Sequence, residues 1–208
     1  MKGISLNRNQ IKYLVIVAML IDHIAWAFVP MQSLLGQVMH FIGRLTGPTM
    51  AYFLVEGYLH TRNVKKYAIR LGFFALVSWL PFTLFEFGML PITIYTGKVV
   101  NGISFYLGAI NSSVVVYPFF GVVYTLFLSL LAVWLWDKGR CPKWCKILGI
   151  MGLCLLSAFG DWPIFDVIYA LFFFVFHNQT KKKWVSFSII TICTFIFSGF
   201  SIWGLYQL

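Results

Sequence analysis

The amino-acid sequence predicts an all-α, polytopic membrane helix bundle with about seven transmembrane helices, built as a single domain over residues 1–208. Three observations lead there. The chain is 60% hydrophobic and 19% aromatic but only 11% charged, which is too apolar for a water-soluble domain. Several apolar runs approach or exceed the roughly 17 to 25 residues a helix needs to cross about 30 Å of hydrocarbon. No stretch has the alternating, turn-punctuated pattern of a membrane barrel.

The apolar run at 11–29 follows Lys2, Arg8 and Lys12. It is longer than a signal-peptide core and no small-residue cleavage pattern follows it, so it reads as a retained first helix. The second helix, 34–59, spaces Gly43, Gly47 and Ala51 at intervals of four, a small-residue stripe suited to close helix contact. Within it, Pro48 removes an N–H and clashes with the carbonyl of Arg44, which predicts a kink. A third helix is expected at 67–86. The stretch 87–113 carries Pro91, Gly97, Gly102 and Gly108, and suits a long loop with a partial or re-entrant helix. Further helices are expected at 114–136, 145–160, 163–177 (the shortest, with Asp161 as outer cap and Pro163 in its first turn) and 184–204. Six or eight spans are also compatible with the hydropathy. The FFFVF run at 172–176 reads as lipid-facing or packing surface.

Basic residues orient this layout. Of the 16 Lys and Arg residues, 14 fall at one end: before or in the first helix, in the 62–70 turn, at 138–146 and at 181–183. The positive-inside rule makes that end cytoplasmic, with the amino terminus inside and the carboxyl terminus outside, and the location the inner (cytoplasmic) membrane, multi-pass. The net charge of +10 is thereby a topology signal and no sign of a nucleic-acid partner; the lipid bilayer is the expected surrounding. Cys141 and Cys145 lie in a cytoplasmic, reducing turn with no histidine nearby to complete a zinc site, so no metal is expected.

Ionisable groups inside spans carry the functional information, because each costs roughly 2.5 to 3.5 kcal/mol at a helix centre. They are Asp22, His23, His40, Arg44 and Glu56, with His60, Glu86, Asp166 and His177 nearer the margins. A rise of about 1.5 Å per residue puts His23 and Arg44 at nearly the same depth on neighbouring antiparallel helices. Asp22, His23 and Arg44 then form one polar cluster, with Asp22 expected to neutralise Arg44. At about 100° per residue, Lys12 and His23 differ by only roughly 20° and share a helix face, with about 16 Å between them. Asp22 points about 100° away and is therefore not the orienting partner of His23. His40 lies one turn before Arg44 on the same side. Blander roles stand beside these: a structural clip for Asp22 and Arg44, carbonyl-bonded imidazoles for the histidines, a solvated helix end for His177, and charge pairing or topology anchoring for Glu56 to Arg62.

The segments LNRNQIKYLVIVAMLIDHIAW and FIGRLTGPTMAYFLVEGYLHTRNVKKYAIRLGFFALVSWLPF resemble the TraX family, whose best-known member acetylates the amino terminus of F-type pilin. The resemblance covers about residues 6 to 82 and is similar in turn to the acyl-CoA-dependent acyltransferase 3 group. That group carries a basic residue and a histidine on the first helix, separated by ten residues, a spacing that Lys12 and His23 match. The resemblance implies His23 as the catalytic histidine and Lys12 as the first-helix basic position. Arg62 to Arg70 would be an approximate counterpart of the group's cytoplasmic basic pair.

Acyl transfer from a thioester requires an acceptor that loses its proton as it attacks, and histidine suits that near neutral pH. The expected function is an acetyltransferase moving an acetyl group from cytoplasmic acetyl-CoA to an amine or hydroxyl, on a pilin-like peptide or a cell-surface glycan. His23, Asp22 and Arg44 form its expected catalytic group, with Arg44 facing the oxyanion and His40 a weaker candidate for that role. His40, Glu56 and His60 are the expected acceptor-binding residues, and Lys12, Arg62, Lys65, Lys66 and Arg70 the coenzyme-phosphate residues. Two other classes fit the composition: a small transporter or channel, against which the lack of an inverted repeat counts, and a non-enzymatic pilus or conjugation assembly protein.

Overall fold

The computed structural model describes residues 7–30, 33–88, 90–95, 103–107, 112–116 and 118–205. Lys2 and Lys98, with the side chain of Glu86, lie outside the described residues. Among the described residues, eight α-helices run in chain order: α1 (Arg8–Phe28), α2 (Leu34–Gly43), α3 (Thr46–His60), α4 (Val64–Phe87), α5 (Val122–Lys138), α6 (Lys143–Leu156), α7 (Phe165–Val175) and α8 (Thr180–Leu205). The helical class is as expected, and three elements differ.

First, the expected second helix is two helices. Arg44 and Leu45 keep near-helical angles (ψ −16° at both), but the regular α-helix stops at Gly43 and restarts at Thr46. Pro48 explains the break. It has no N–H to bond the Arg44 carbonyl, and it falls in the first turn of α3, where no such bond is required. The small-residue stripe is divided accordingly: Gly43 faces Asp22 of α1, Gly47 lies under the ring of Trp162, and Ala51 is buried in the core.

Second, the stretch expected to be a loop with a partial helix holds three strands: β1 (Ile92–Tyr95), β2 (Ile103–Leu107) and β3 (Ser112–Val116). They form an antiparallel sheet in the order β1-β3-β2, with Val116 opposite both Ile92 and Ile103. β-Branched and aromatic residues favour this pairing, whereas Pro118 and Gly121 delay the helix expected from 114 until Val122.

Third, Asp161 and Pro163 do not start α7. The residue before the helix is Ile164, which adopts a left-handed φ of 66°. That conformation costs roughly 1–3 kcal/mol for such a side chain. It is held by the Ile164 N–H, which donates to Ser157 Oγ at 2.7 Å. The pre-α7 loop is tied to the pre-α5 loop by paired backbone bonds between Phe120 and residues 159 and 161.

Helices α3, α5 and α7 make the centre. Leu54, Val55 and Tyr58 of α3 pack with Leu126, Leu130 and Val133 of α5 and with Tyr169, Ala170 and Phe173 of α7. Around this trio, α1 packs on α2 and α3, α4 and α6 on α5, and α8 on α7. Large apolar side chains face outward, among them Leu14, Leu20 and Phe28 of α1 and Ile69, Phe73 and Leu76 of α4. Among the described residues, α1 and Val64–Phe85 are long and apolar enough to cross a membrane. Helices α5, α6 and α7, at 17, 14 and 11 residues, reach only about 26, 21 and 17 Å.

Inside the centre sits one acid. Asp166 of α7 is fully buried and accepts a 2.7 Å hydrogen bond from Thr125 Oγ1 of α5. Replacing Thr125 by valine keeps the shape and removes this donor, and should cost about 1–3 kcal/mol; thermal unfolding in detergent micelles measures it.

Candidate functional site

The site is built where α1 meets α2. Asp22 lies against Gly43 so closely that a β-carbon at that position would sit 2.6 Å from Asp22 Oδ1 and overlap the rest of the carboxyl group. The expected antiparallel packing of the first two helices therefore holds.

The partner of Asp22 differs from the expectation. His40 Nδ1 donates to Asp22 Oδ1 at 2.7 Å. Arg44 is half-buried at the carboxyl-terminal cap of α2 and makes no ion pair among the described residues. Both side chains descend from the same side of α2 one turn apart, and the imidazole bonds the carboxylate at short range. The carboxylate accepts, so Nδ1 carries a proton, and in the neutral ring Nε2 then carries the lone pair. That Nε2 is buried and has no hydrogen-bond partner among the described residues. The indole of Trp26 stands edge-on to the imidazole, 5.1 Å between ring centres.

His23 is held differently. Its Nδ1 donates to the Met19 carbonyl one turn earlier at 2.9 Å, and its ring lies 5.7 Å from that of Phe85 on α4. A carbonyl only accepts, so here too Nδ1 carries a proton, and in the neutral ring Nε2 carries the lone pair. Asp22 is no partner of His23, as the helical angles require.

At the other end of α1 the remaining expected residues gather in part. Lys12 is exposed, with Nζ 5.3 Å from the ring centre of Phe53 on α3. Glu56 binds the Arg8 guanidinium at 3.7 Å and lies 3.9 Å from His60 Nδ1. That ring nitrogen donates to the Glu56 carbonyl at 2.7 Å. Glu56 thus clasps α1 to α3 through Arg8 while His60 stays with its own helix, both well removed along α1 from His23 and His40. Arg62, Lys65, Lys66 and Arg70 are all exposed and make no ion pair among the described residues, leaving them open to a phosphate-bearing ligand. His177 is an exposed helix end bonded to the Phe174 carbonyl.

Sequence reasoning undervalued Asp166, whose second oxygen has no hydrogen-bond partner among the described residues. It also passed over Asp137, which receives the Tyr58 hydroxyl at 2.7 Å and so joins α5 to α3. The signal for Asp166 was present: an acid between the apolar residues Phe165 and Val167.

Comparison with known proteins agrees with the local pattern. Residues 7–206 match the family described as TraX protein. The "Probable fimbrial assembly protein FimC, serogroup H1" of Dichelobacter nodosus is 30% identical over 192 residues, covering 89% of this chain and 69% of that protein. No solved structure matches.

Gly43→Ala should cost about 1–3 kcal/mol by overpacking against Asp22. The loss should persist in an Asp22→Ala background, which keeps the Asp22 β-carbon that the new methyl meets, and largely vanish in an Asp22→Gly background, a coupling readable from thermal unfolding of the single and double variants.

Proposed function

The chain belongs to the TraX family, and from that premise we propose that it is a multi-pass inner-membrane acetyltransferase. It takes the acetyl group of cytoplasmic acetyl-CoA and places it on an amine or hydroxyl presented in or across the membrane. The observation that carries the proposal is the orientation of His23. Its Nδ1–H is spent on Met19 and in the neutral ring its Nε2 can accept a proton, on the face that the 100° step of the unbroken α1 helix also gives to Lys12. The likeness to the acyl-CoA-dependent acyltransferase 3 group rests on the spacing of these two residues.

In this reading the coenzyme phosphates meet Lys12, Arg62, Lys65, Lys66 and Arg70, and the pantetheine arm runs along α1 towards His23. The acceptor attacks the thioester carbonyl while His23 Nε2 takes its proton. Arg44, free of the carboxylate that binds His40, faces the oxyanion of the tetrahedral intermediate. Collapse expels the coenzyme thiolate, which leaves as the thiol with the proton returned by the imidazolium. Supporting a multi-pass placement are the outward-facing apolar side chains and the basic residues gathered at one end. The name of the Dichelobacter nodosus relative favours a peptide amine of a surface-fibre subunit over a glycan as acceptor.

A second assignment of the base is favoured by the Asp22 to His40 bond, because a carboxylate on Nδ1 holds the ring in place and turns Nε2 away from it. A non-enzymatic role in fibre assembly is the competing function, favoured by the same relative's name.

Labelled acetyl-CoA with purified protein and a membrane extract tests the proposal. The wild type should label an acceptor, and His23→Ala should lower the rate by about 10²–10⁴-fold, the usual contribution of a general base. An equal loss in His40→Ala alone, with His23→Ala active, would move the base to His40; no labelling by the wild type would leave the assembly role.

Replacing Lys65, Lys66 and Arg70 together by glutamine should raise KM for acetyl-CoA with kcat little changed, since their contacts are equal in ground and transition states. Steady-state kinetics at two salt concentrations separates this from a folding defect.

A further inference from the structure

Away from the histidines, α5, α6 and α7 enclose a crevice of about 300 Å³. Its walls are Trp136 of α5, Ile147 and Met151 of α6, and Leu171, Phe172 and Phe176 at the end of α7, all of them apolar. It lies at the end of the bundle that carries the 138–146 and 181–183 basic residues.

Two cations hold its rim. Lys146 Nζ donates to the carbonyl of Trp136 at 2.8 Å, and Lys182 Nζ stands 5.9 Å from the ring centre of Phe176. Both contacts are to wall residues. An ammonium bound to one carbonyl keeps two further N–H donors. No acid occurs in 138–146 or 177–183. The nearby Asp137 is already engaged by the Tyr58 hydroxyl and by Lys138 at 3.3 Å. Trp144 projects into the surroundings at the same end, 79% exposed, as an interfacial aromatic does. An apolar slot with unopposed cations at one lip complements an acyl chain that ends in an anion.

We infer that this crevice binds an anionic phospholipid of the cytoplasmic leaflet, its acyl chain between α6 and α7 and its phosphate on Lys146 and Lys182. The site rests on the membrane placement proposed above and not on acetyl transfer. Its occupant is a lipid and not a soluble phosphate, because the walls offer nothing polar and the cations stand only at the rim. A lipid there joins three helices that are each short for the bilayer.

Native mass spectrometry of the detergent-purified chain, given equal phosphatidylglycerol and phosphatidylcholine, tests it. The wild type should retain phosphatidylglycerol preferentially, and the preference should fall roughly fivefold for each lysine removed in Lys146→Gln and Lys182→Gln. Met151→Trp fills the crevice and should lower retention of both lipids. Equal retention of the two lipids by the wild type overturns the inference, as does a preference that survives the double lysine variant. Inorganic phosphate at millimolar concentration should not displace the lipid; displacement would make the site a phosphate site and also overturn it. The lysine variants lie at the surface and keep the test open if Met151→Trp fails to fold. Acetyl transfer measured on the same variants is independent: lipid preference can vanish while transfer persists, and an inactive chain can still select the lipid.

Discussion

The hydrogen bond from His40 to Asp22 across Gly43 is the constraint on which the amino-terminal half of the molecule depends. A carboxylate on a long apolar helix must find a polar partner, because an unpaired charge in hydrocarbon surroundings costs several kcal/mol. A 2.7 Å bond demands close approach of the two backbones, and only a residue without a side chain allows it at position 43. Depth and rotation of α2 on α1 are set together by this contact. The chain then breaks at Leu45, and α3 sets out from there towards α5 and α7.

Two imidazoles are oriented by this arrangement in the same chemical sense. Each gives its Nδ1 proton to an oxygen and in the neutral ring keeps a lone pair on Nε2. The partners differ in charge, a neutral carbonyl for His23 and a carboxylate for His40. His23 shares its face with Lys12, whereas His40 lies against Trp26 with its Nε2 sealed from solvent.

Much of this was legible because depth and angle along a helix follow from counting. The antiparallel α1 and α2 and the separation of Asp22 from His23 are consequences of 1.5 Å and 100° per residue. Counting could not choose between His40 and Arg44 as the partner of Asp22, since residues four apart present nearly the same direction and only packing ranks them. Nor could hydropathy separate a strand from a helix in SSVVV, where a short apolar run satisfies both patterns. The break at Arg44 was read as a kink because Pro48 signals a lost hydrogen bond without saying whether the helix bends or restarts. Ile164 was invisible for another reason. Its left-handed backbone depends on Ser157, seven residues earlier, and no local rule anticipates such a bond.

The basic end of the molecule then resolves into parts with different tasks. Glu56 engages Arg8 and approaches His60, so Arg8 serves to clasp α1 to α3 while His60 stays with its own helix. Lys146 and Lys182 are committed to the carbonyl of Trp136 and the ring of Phe176, beside an apolar crevice. Arg62, Lys65, Lys66 and Arg70 face outwards from the α3–α4 turn and the start of α4. A topology signal alone requires only that cations be on one side, and exposed, unpaired lysines would satisfy it anywhere on that surface. What it does not require is their division between an acid, an apolar slot and an open turn. That division is the physical reason to expect more than one anionic ligand at this end, each met by cations the others have not taken.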